Sequence, residues 1–283
     1  MQLTIITINL NNAKGLEETI ASVAAQKNAE FEYLVIDGGS TDQSTTLLAK
    51  HQKYISTFIS EKDNGVYHAM NKGIKLAKGK YLLFLNSGDT LNRHHVIADL
   101  SEYLKTNPQK DIYYTDVIFV DEIKKFAYSY PFPKQLDMAY FLTHSICHQI
   151  SVIRRSLFDE LGYYDESYRL VSDWAFFLKA CHKGYSYQHI DKFFLSNYLQ
   201  NGISSDYITC KKERFQVIKT EYKEYLNHYL AATAPPSLWA RALHKVQKAL
   251  KIANKKPITV HENCFTQYEK QRKIDLNQLL TNV

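Results

Sequence analysis

Apolar positions recur along the first part of the chain in two alternating rhythms. Short runs rich in Ile, Val, Leu and Thr, at 3–10, 31–36, 54–60 and 81–85, predict strands. Between them the apolar residues fall at helical spacing. Leu16, Ile20 and Val23 share a face within 16–26, a second helix is predicted over 43–51, and Val66, Met70, Ile74 and Ala77 mark a third over 66–77 that stops at Gly79. Ser40 or Thr41 is expected to cap the second helix. The order β-α-β-α-β-α-β predicts a parallel sheet with right-handed crossovers. The last run, Tyr81-Leu82-Leu83-Phe84-Leu85, is apolar throughout, as in a strand buried on both faces. Asn86-Ser87-Gly88-Asp89 follows it directly. A small polar loop with a carboxylate at the carboxyl end of a buried strand is where open α/β sheets place ligands.

The second part is less regular. A helix is predicted over 95–105 and a strand over 112–120, which a hairpin at Asp121-Glu122 extends into 124–130 before Pro131 and Pro133 break the chain. A strand over 149–153 and a helix over 155–161 ending at Gly162 come next. A helix over 173–183 is stopped by Gly184, with short strands over 187–190 and 193–198 and a loop over 201–205. A charged, Tyr-rich helix is predicted over 207–229 and a linker over 231–236. From 237 to 254, Trp239, Ala242, Leu243, Val246 and Leu250 form one apolar face. Arg241, Lys245, Lys248 and Lys251 occupy the remaining surface, Lys255 and Lys256 follow, and no acid interrupts them. That pattern suits a helix lying in an anionic membrane interface, and equally one packing its apolar face on the main domain. The expected division is 1–92, 93–206 and a helical extension over 207–283.

With 283 residues, 45% hydrophobic and 23% charged, the chain has the composition of a globular protein able to bury a full core. Cys147, Cys181, Cys210 and Cys264 lie far apart with no C-x-x-C, which argues against a zinc site or a disulfide framework and for a reducing cytosol. The N-terminus lacks a basic region ahead of an apolar run, and no stretch approaches the ~20 apolar residues of a membrane span. The expected location is cytoplasmic, with peripheral contact to the inner face of the cytoplasmic membrane. Much of the net charge of +6 sits between Arg241 and Lys256, and nothing in the pattern points to nucleic acid. The absence of G-x-G-x-x-G after the first strand, and of G-K-[ST], disfavours a dinucleotide dehydrogenase or a P-loop enzyme.

Four segments carry a resemblance: V-I-D-G-G-S-T-D, E-K-D-N-G-V-Y-H-A-M-N-K-G-I, G-K-Y-L-L-F-L-N-S-G-D and V-S-D-W-A-F-F-L-K-A. In that order and spacing they resemble family 2 glycosyltransferases, and more closely the bacterial enzymes of capsule, O-antigen and colanic-acid assembly. The likeness covers about residues 1–205. It implies an α/β protein of the GT-A (Rossmann-like) fold: a mixed, mostly parallel central sheet flanked by helices, here with a C-terminal helical extension. It also implies inverting transfer from a nucleotide-sugar donor, aided by Mg²⁺ or Mn²⁺.

Read alone, Asp37 is better taken as a turn residue accepting local N–H bonds; the resemblance puts it at the nucleobase. Asp63 and Lys72 fall in the second nucleotide-contacting segment, where Lys72 either reaches a phosphate or is a solvated helix lysine. Thr7, Asn9, Asn86 and Ser87 complete the expected donor set. Asp89 is the expected metal ligand, since hard cations take oxygen donors; its alternative role is a helix cap. Asn86 and Gly88 stand where the family often has Asp. Asp173 matches the second acid of the family's E-D motif, with Ser172 in place of Glu, and would be the base on the acceptor hydroxyl; its alternative is the N-cap of its helix. His148, Gln149 and Trp174 are candidates for the acceptor cleft, and His148 or His189 for the cation, against structural roles for each.

The expected activity is transfer of one sugar to a saccharide acceptor, lipid-linked, in bacterial surface polysaccharide biosynthesis. Two rivals stand beside it. A sugar nucleotidyltransferase would carry a glycine- and basic-rich loop after the first strand, where this chain has Asn11-Asn12-Ala13-Lys14-Gly15. A GT-A-like domain that binds a glycan or a partner without turnover fits the thinned motifs at 86–89 and 172–173.

Overall fold

A computed structural model describes residues 2–121, 125–199 and 206–234. The first part runs β1 (Leu3–Asn9), α1 (Ala13–Ala24), β2 (Glu32–Asp37), α2 (Ser44–Lys50), β3 (Thr57–Ser60), α3 (Val66–Leu76) and β4 (Tyr81–Phe84), the alternation that the apolar rhythm predicts. There follow β5 (Thr90–Leu91), α4 (Val96–Thr106), β6 (Ile112–Thr115), β7 (Val117–Asp121), β8 (Phe126–Tyr130) and α5 (Met138–Thr143). The remainder is β9 (Ser151–Arg154), α6 (Ser156–Leu161), α7 (Ser172–His182), β10 (Tyr187–Ile190), β11 (Ser196–Leu199), α8 (Tyr207–Glu221) and α9 (Leu226–Thr233).

The main sheet has seven strands in the order β10-β6-β9-β4-β1-β2-β3. All its pairings are parallel except those of β9, which lies antiparallel between β4 and β6. A second sheet, β5-β11-β7-β8, stands beside it. β1 is buried along its whole length because strands flank both edges and helices cover both faces. Ile6, Leu34 and Ile36 meet Met70 and Ile74 of α3 on one face; Leu3, Ile5 and Val35 meet Leu16 and Ile20 of α1 on the other. Each such fully buried aliphatic side chain stabilises the fold by about 1.5–3 kcal/mol.

Four departures from the expected elements have local causes. The strand expected over 112–120 is two strands, because the chain leaves one sheet for the other at Asp116. Asp116 Oδ1 accepts from the Phe132 N–H at 2.9 Å and pairs with His189 Nε2 at 2.8 Å, which fixes the crossing. α5 escapes apolar-period reading because it is short; Asp137 caps it by accepting from the Tyr140 N–H at 2.7 Å. The helix expected over 207–229 breaks at Tyr222 into α8 and α9. At the start of α2, Asp42 accepts from the Ser44 N–H, while Ser40 is occupied at Asp37 and Thr41 at Asn11. The basic amphipathic helix expected over 237–254, Cys264 and the 201–205 loop lie outside the described residues. Among the described residues no helix is long and apolar enough to cross a membrane.

Gly79 has a different role from the helix stop read in the sequence. α3 ends at Leu76, and Ala77 already turns extended. Gly79 instead lies flat against β1, where a Cβ would come within 2.6 Å of the Thr4 nitrogen and 2.7 Å of the Leu3 carbonyl carbon. Its N–H donates to Thr4 Oγ1 at 2.9 Å, and Thr4 Oγ1 donates to the buried Glu32 at 2.7 Å. Backbone cannot yield as a flexible side chain does. Gly79→Ala is therefore expected to cost about 1–3 kcal/mol, read as a lowered urea midpoint at unchanged m-value; an unchanged midpoint would contradict the close approach.

Candidate functional site

Four parallel strands, β3, β2, β1 and β4, end on the same edge of the main sheet, so their carboxyl-end loops gather there. Asp37 is the centre of that edge. Its Oδ1 accepts from Asn9 Nδ2 at 2.8 Å and Ser40 Oγ at 2.6 Å; its Oδ2 accepts from the Ser40 N–H at 2.9 Å and Ser60 Oγ at 2.6 Å. Burial pushes this carboxyl's pKa up, but the donors together outweigh burial and hold it below the ordinary carboxylate range. With both oxygens filled and no exposure, Asp37 meets a nucleobase only where one serine hydroxyl gives way. Asn9 also donates to Ser44 Oγ at 2.9 Å, and its Oδ1 is buried without a partner. Thr7 donates to the Leu85 carbonyl at 2.7 Å and is fully buried, which places it inside the sheet and corrects the expectation that it faces the donor.

Asp63 lies over Gly38, where a Cβ would stand 3.0 Å from Asp63 Oδ2. Lys72 is not solvated: its Nζ bonds Asp63 Oδ1 at 2.5 Å and Glu61 Oε1 at 2.8 Å. Desolvation lowers the Lys72 pKa, yet the bonds from these two carboxylates outweigh it and hold the ammonium charged. A phosphate would reach Lys72 only in competition with both.

The loop at 86–89 is held from beneath by α1. Thr19 Oγ1 accepts from the Gly88 N–H at 2.9 Å and lies 2.8 Å from the Asp89 carbonyl; Asn12 Nδ2 donates to the Ser87 carbonyl at 3.1 Å. Asn12 and Thr19 were missed in the sequence because they look like an ordinary helix cap and an ordinary mid-helix residue. Gly88 has φ +106°, a conformation that L side chains rarely adopt, which suits the position to glycine. Asp89 is buried rather than capping a helix. Its Oδ1 accepts from the Leu199 N–H at 3.1 Å, and its Oδ2 has Gln149 Nε2 at 3.3 Å. Burial pushes the Asp89 carboxyl up to about 7, against the opposing pull of His148, the Leu199 N–H and Gln149.

Among the described residues no group of three or more His, Cys, Asp or Glu side chains is placed to hold a metal. The oxygen donors nevertheless fit a hard divalent cation. Asp89 is an undercompensated buried carboxylate, and Asn86 Oδ1, three residues earlier, is buried with no partner. Such a set needs phosphate and water oxygens to fill the shell.

Asp173 lies in the first turn of α7, which begins at Ser172, and so is not its N-cap. Its Oδ1 accepts from Tyr67 Oη at 2.8 Å and from the Trp174 N–H at 2.9 Å; its Oδ2 faces His148 Nδ1 at 3.1 Å. Burial pushes its pKa up, but His148, Tyr67 and the Trp174 N–H outweigh this and hold Asp173 ionised. His148 Nε2 in turn meets Asn86 Nδ2 at 2.9 Å, so a single imidazole joins the 86–89 loop to Asp173. The structure corrects three acceptor or metal candidates. Trp174 is buried, donates to the Phe141 carbonyl at 2.7 Å and carries the Arg214 guanidinium on its ring, so it packs the core. Gln149 is buried and supports Asp89, and His189 is paired with Asp116 at the crossing between the sheets. Tyr67, which no sequence signal singled out, proves to be a partner of Asp173.

A mostly parallel sheet with its binding loops on one edge and a smaller sheet beside it is the GT-A glycosyltransferase architecture. TarS of S. aureus superposes with a TM-score of 0.60 at 18% identity over 78% of this chain, which spans 40% of the TarS chain. The mannosyltransferase PcManGT of Pyrobaculum calidifontis, solved with GDP-Man and Mn²⁺, matches 99% of this chain and 86% of its own at 17% identity and a TM-score of 0.59. The family model described as Glycosyl transferase family 2 matches residues 4–162, and the chain belongs to that family. A PGL/p-HBAD biosynthesis glycosyltransferase of Mycobacterium bovis is 34% identical over 180 residues, 62% of this chain and 68% of that protein. The chain is thus a glycosyltransferase, and the nucleotidyltransferase rival falls away.

The Asp37 network generates a stability prediction with a defined sign. A carboxyl whose folded pKa is depressed contributes stability above its unfolded pKa of about 3.9 and loses it as pH falls through the folded value. Asp37→Asn is expected to lower stability at pH 7 by about 1–3 kcal/mol, and the gap from the parent should narrow below pH ~4. Urea unfolding at both pH values checks this; a gap independent of pH would contradict the ionised, four-donor arrangement.

Proposed function

We propose that this chain transfers a sugar, with inversion, from a nucleotide-sugar to a saccharide acceptor, and that Asp173 is the base. The observation that carries the reading is the placement of Asp173. It is ionised, lies at the C-terminal side of the sheet edge, and is joined through His148 to the 86–89 loop, where the donor diphosphate would lie. Asp173 takes the proton of the acceptor hydroxyl, the oxygen attacks the anomeric carbon, and the bond to the nucleoside diphosphate breaks on the opposite face. Asp89, with Asn86 Oδ1, would hold Mg²⁺ or Mn²⁺, which when bound offsets charge on the departing diphosphate. Asn9, Asp37, Asp63, Lys72 and Ser87 shape the donor side. TarS has been solved with UDP-GlcNAc and PcManGT with GDP-Man and Mn²⁺, which supports a nucleotide-sugar donor and a cation here.

The finer reading places the acceptor on a lipid, in cytoplasmic assembly of a bacterial surface polysaccharide of the capsule, O-antigen or colanic-acid kind. It rests on the sequence likeness and on the basic amphipathic pattern at 237–256. The non-catalytic rival makes the opposite prediction at one point: mixing donor and acceptor releases no nucleoside diphosphate.

Thermal shift against a panel of UDP- and GDP-sugars, with and without Mn²⁺, is expected to select one donor, and Asp89→Ala to remove the Mn²⁺-dependent part of the shift. With that donor and a panel of p-nitrophenyl glycosides, nucleoside diphosphate release should be measurable. Asp173→Asn should then lower kcat by about 100-fold or more at little changed donor KM; parental kcat in that variant would remove Asp173 from the chemistry.

Membrane contact is tested separately. The full chain is expected to pellet with anionic vesicles and to leave them at high salt, and a chain ending at Pro236 to stay in the supernatant. Equal behaviour of the two would assign the 237–254 segment to the fold.

A further inference from the structure

His148 and Gln149 are consecutive residues of one 3₁₀ turn, His148–Ile150, yet they serve different carboxylates. Gln149 Nε2 points to Asp89 Oδ2, and His148 Nδ1 to Asp173 Oδ2. We propose that His148 is the positioning residue of the base: it donates from Nδ1 to Asp173 Oδ2, and the Asn86 side-chain amide selects the ring tautomer that allows this. The inference rests on the reading of Asp173 as the base.

The tautomer follows from donor and acceptor bookkeeping. Asn86 Nδ2 carries only hydrogens, so His148 Nε2, 2.9 Å away, accepts and has no proton in the neutral ring. The ring hydrogen is then on Nδ1, which lies 3.1 Å from Asp173 Oδ2. An ionised Asp173 only accepts, so the neutral ring donates from Nδ1, and an Asn86 amide that presents Nδ2 to Nε2 agrees with this.

The two Asp173 oxygens are then unequal. A carboxylate oxygen accommodates two donors. Oδ1 already has Tyr67 Oη and the Trp174 N–H, whereas Oδ2 receives the hydrogen bond from His148. The acceptor hydroxyl would approach Oδ2. The other titratable groups around Asp173 are Tyr67 from α3, Tyr164, Cys147, and Cys210 and Arg214 from α8. Of these, Tyr67 bonds Oδ1. Without His148, the carboxylate keeps its Oδ1 bonds and loses the one that fixes the plane of Oδ2.

Two isosteres separate the halves of the device. Asn at 148 retains a donor near the Nδ1 position; Gln retains a donor or acceptor near the Nε2 position. The first readout needs no substrate. In full-length protein carrying ¹⁵N-histidine, imidazole spectra should show a ring protonated at Nδ1 in its neutral form, a signal absent from His148→Asn. An Nε2-protonated His148 would overturn the proposal. The second readout is transfer with the donor selected above and a p-nitrophenyl glycoside. His148→Ala and His148→Gln are expected to lose about 10- to 100-fold in kcat with donor KM little changed, and His148→Asn to recover most of it. Parental kcat in the Ala and Gln variants, while Asp173→Asn is inactive, would sink the positioning role and leave the base intact. An active Asp173→Asn would sink the base reading whatever the tautomer. Donor-induced thermal shift in each variant verifies folding.

Discussion

A buried carboxylate must receive its hydrogen bonds from inside the protein, and at Asp37 that requirement ties three strand ends together. Asn9 comes from β1, Ser40 from the loop after β2 and Ser60 from the end of β3. The loops that form one wall of the cleft therefore cannot be placed independently. The same demand recurs at Glu32, whose one oxygen joins Thr4 of β1 to the backbone of Lys78 ahead of β4. Each strand is anchored to its neighbour by side chains as well as by the ladder. A site at the carboxyl edge of such a sheet is accordingly preorganised before any ligand arrives.

The opposite wall is built from the irregular half of the chain. There the chain leaves the main sheet at Asp116 for the small sheet, whose strand β11 ends at Leu199, and Leu199 donates its N–H to Asp89. The 3₁₀ turn at His148–Ile150 leads into β9, the antiparallel strand inserted beside β4. Both walls thus meet at the loop that follows β4. Asp89 and Asp173 are linked by a single dipeptide, His148-Gln149, so neither can shift far without the other.

Much of this was legible in the sequence, and the limits have physical causes. The parallel half could be read because its strands are buried on both faces and its helices present one apolar stripe. The split at Asp116 could not be, because Ile112 to Thr115 and Val117 to Val120 are both strand-like, a lone Asp between them reads as a solvent-facing position, and the change of sheet depends on the distant Phe132 and His189. At the candidate site, motif order pointed to Asp37, Asp89 and Asp173. What it could not supply was the state of their lone pairs. Asp37 is filled by serines, Lys72 is held by acids, and Trp174 is buried beneath Arg214, all through contacts distant in sequence. Thr19 and Tyr67 went unnoticed for the converse reason: a single hydroxyl on a helix carries no pattern until its partner is known.

At Gly88 an acidic side chain would be held at φ +106° against the Leu199 side chain, so the position strains any residue other than glycine. A second carboxylate at this point would require the β4 exit to be rerouted around Thr19, which accepts the Gly88 N–H, and around Leu199. Backbone conformation, and not charge alone, thus sets which side chains this loop can carry.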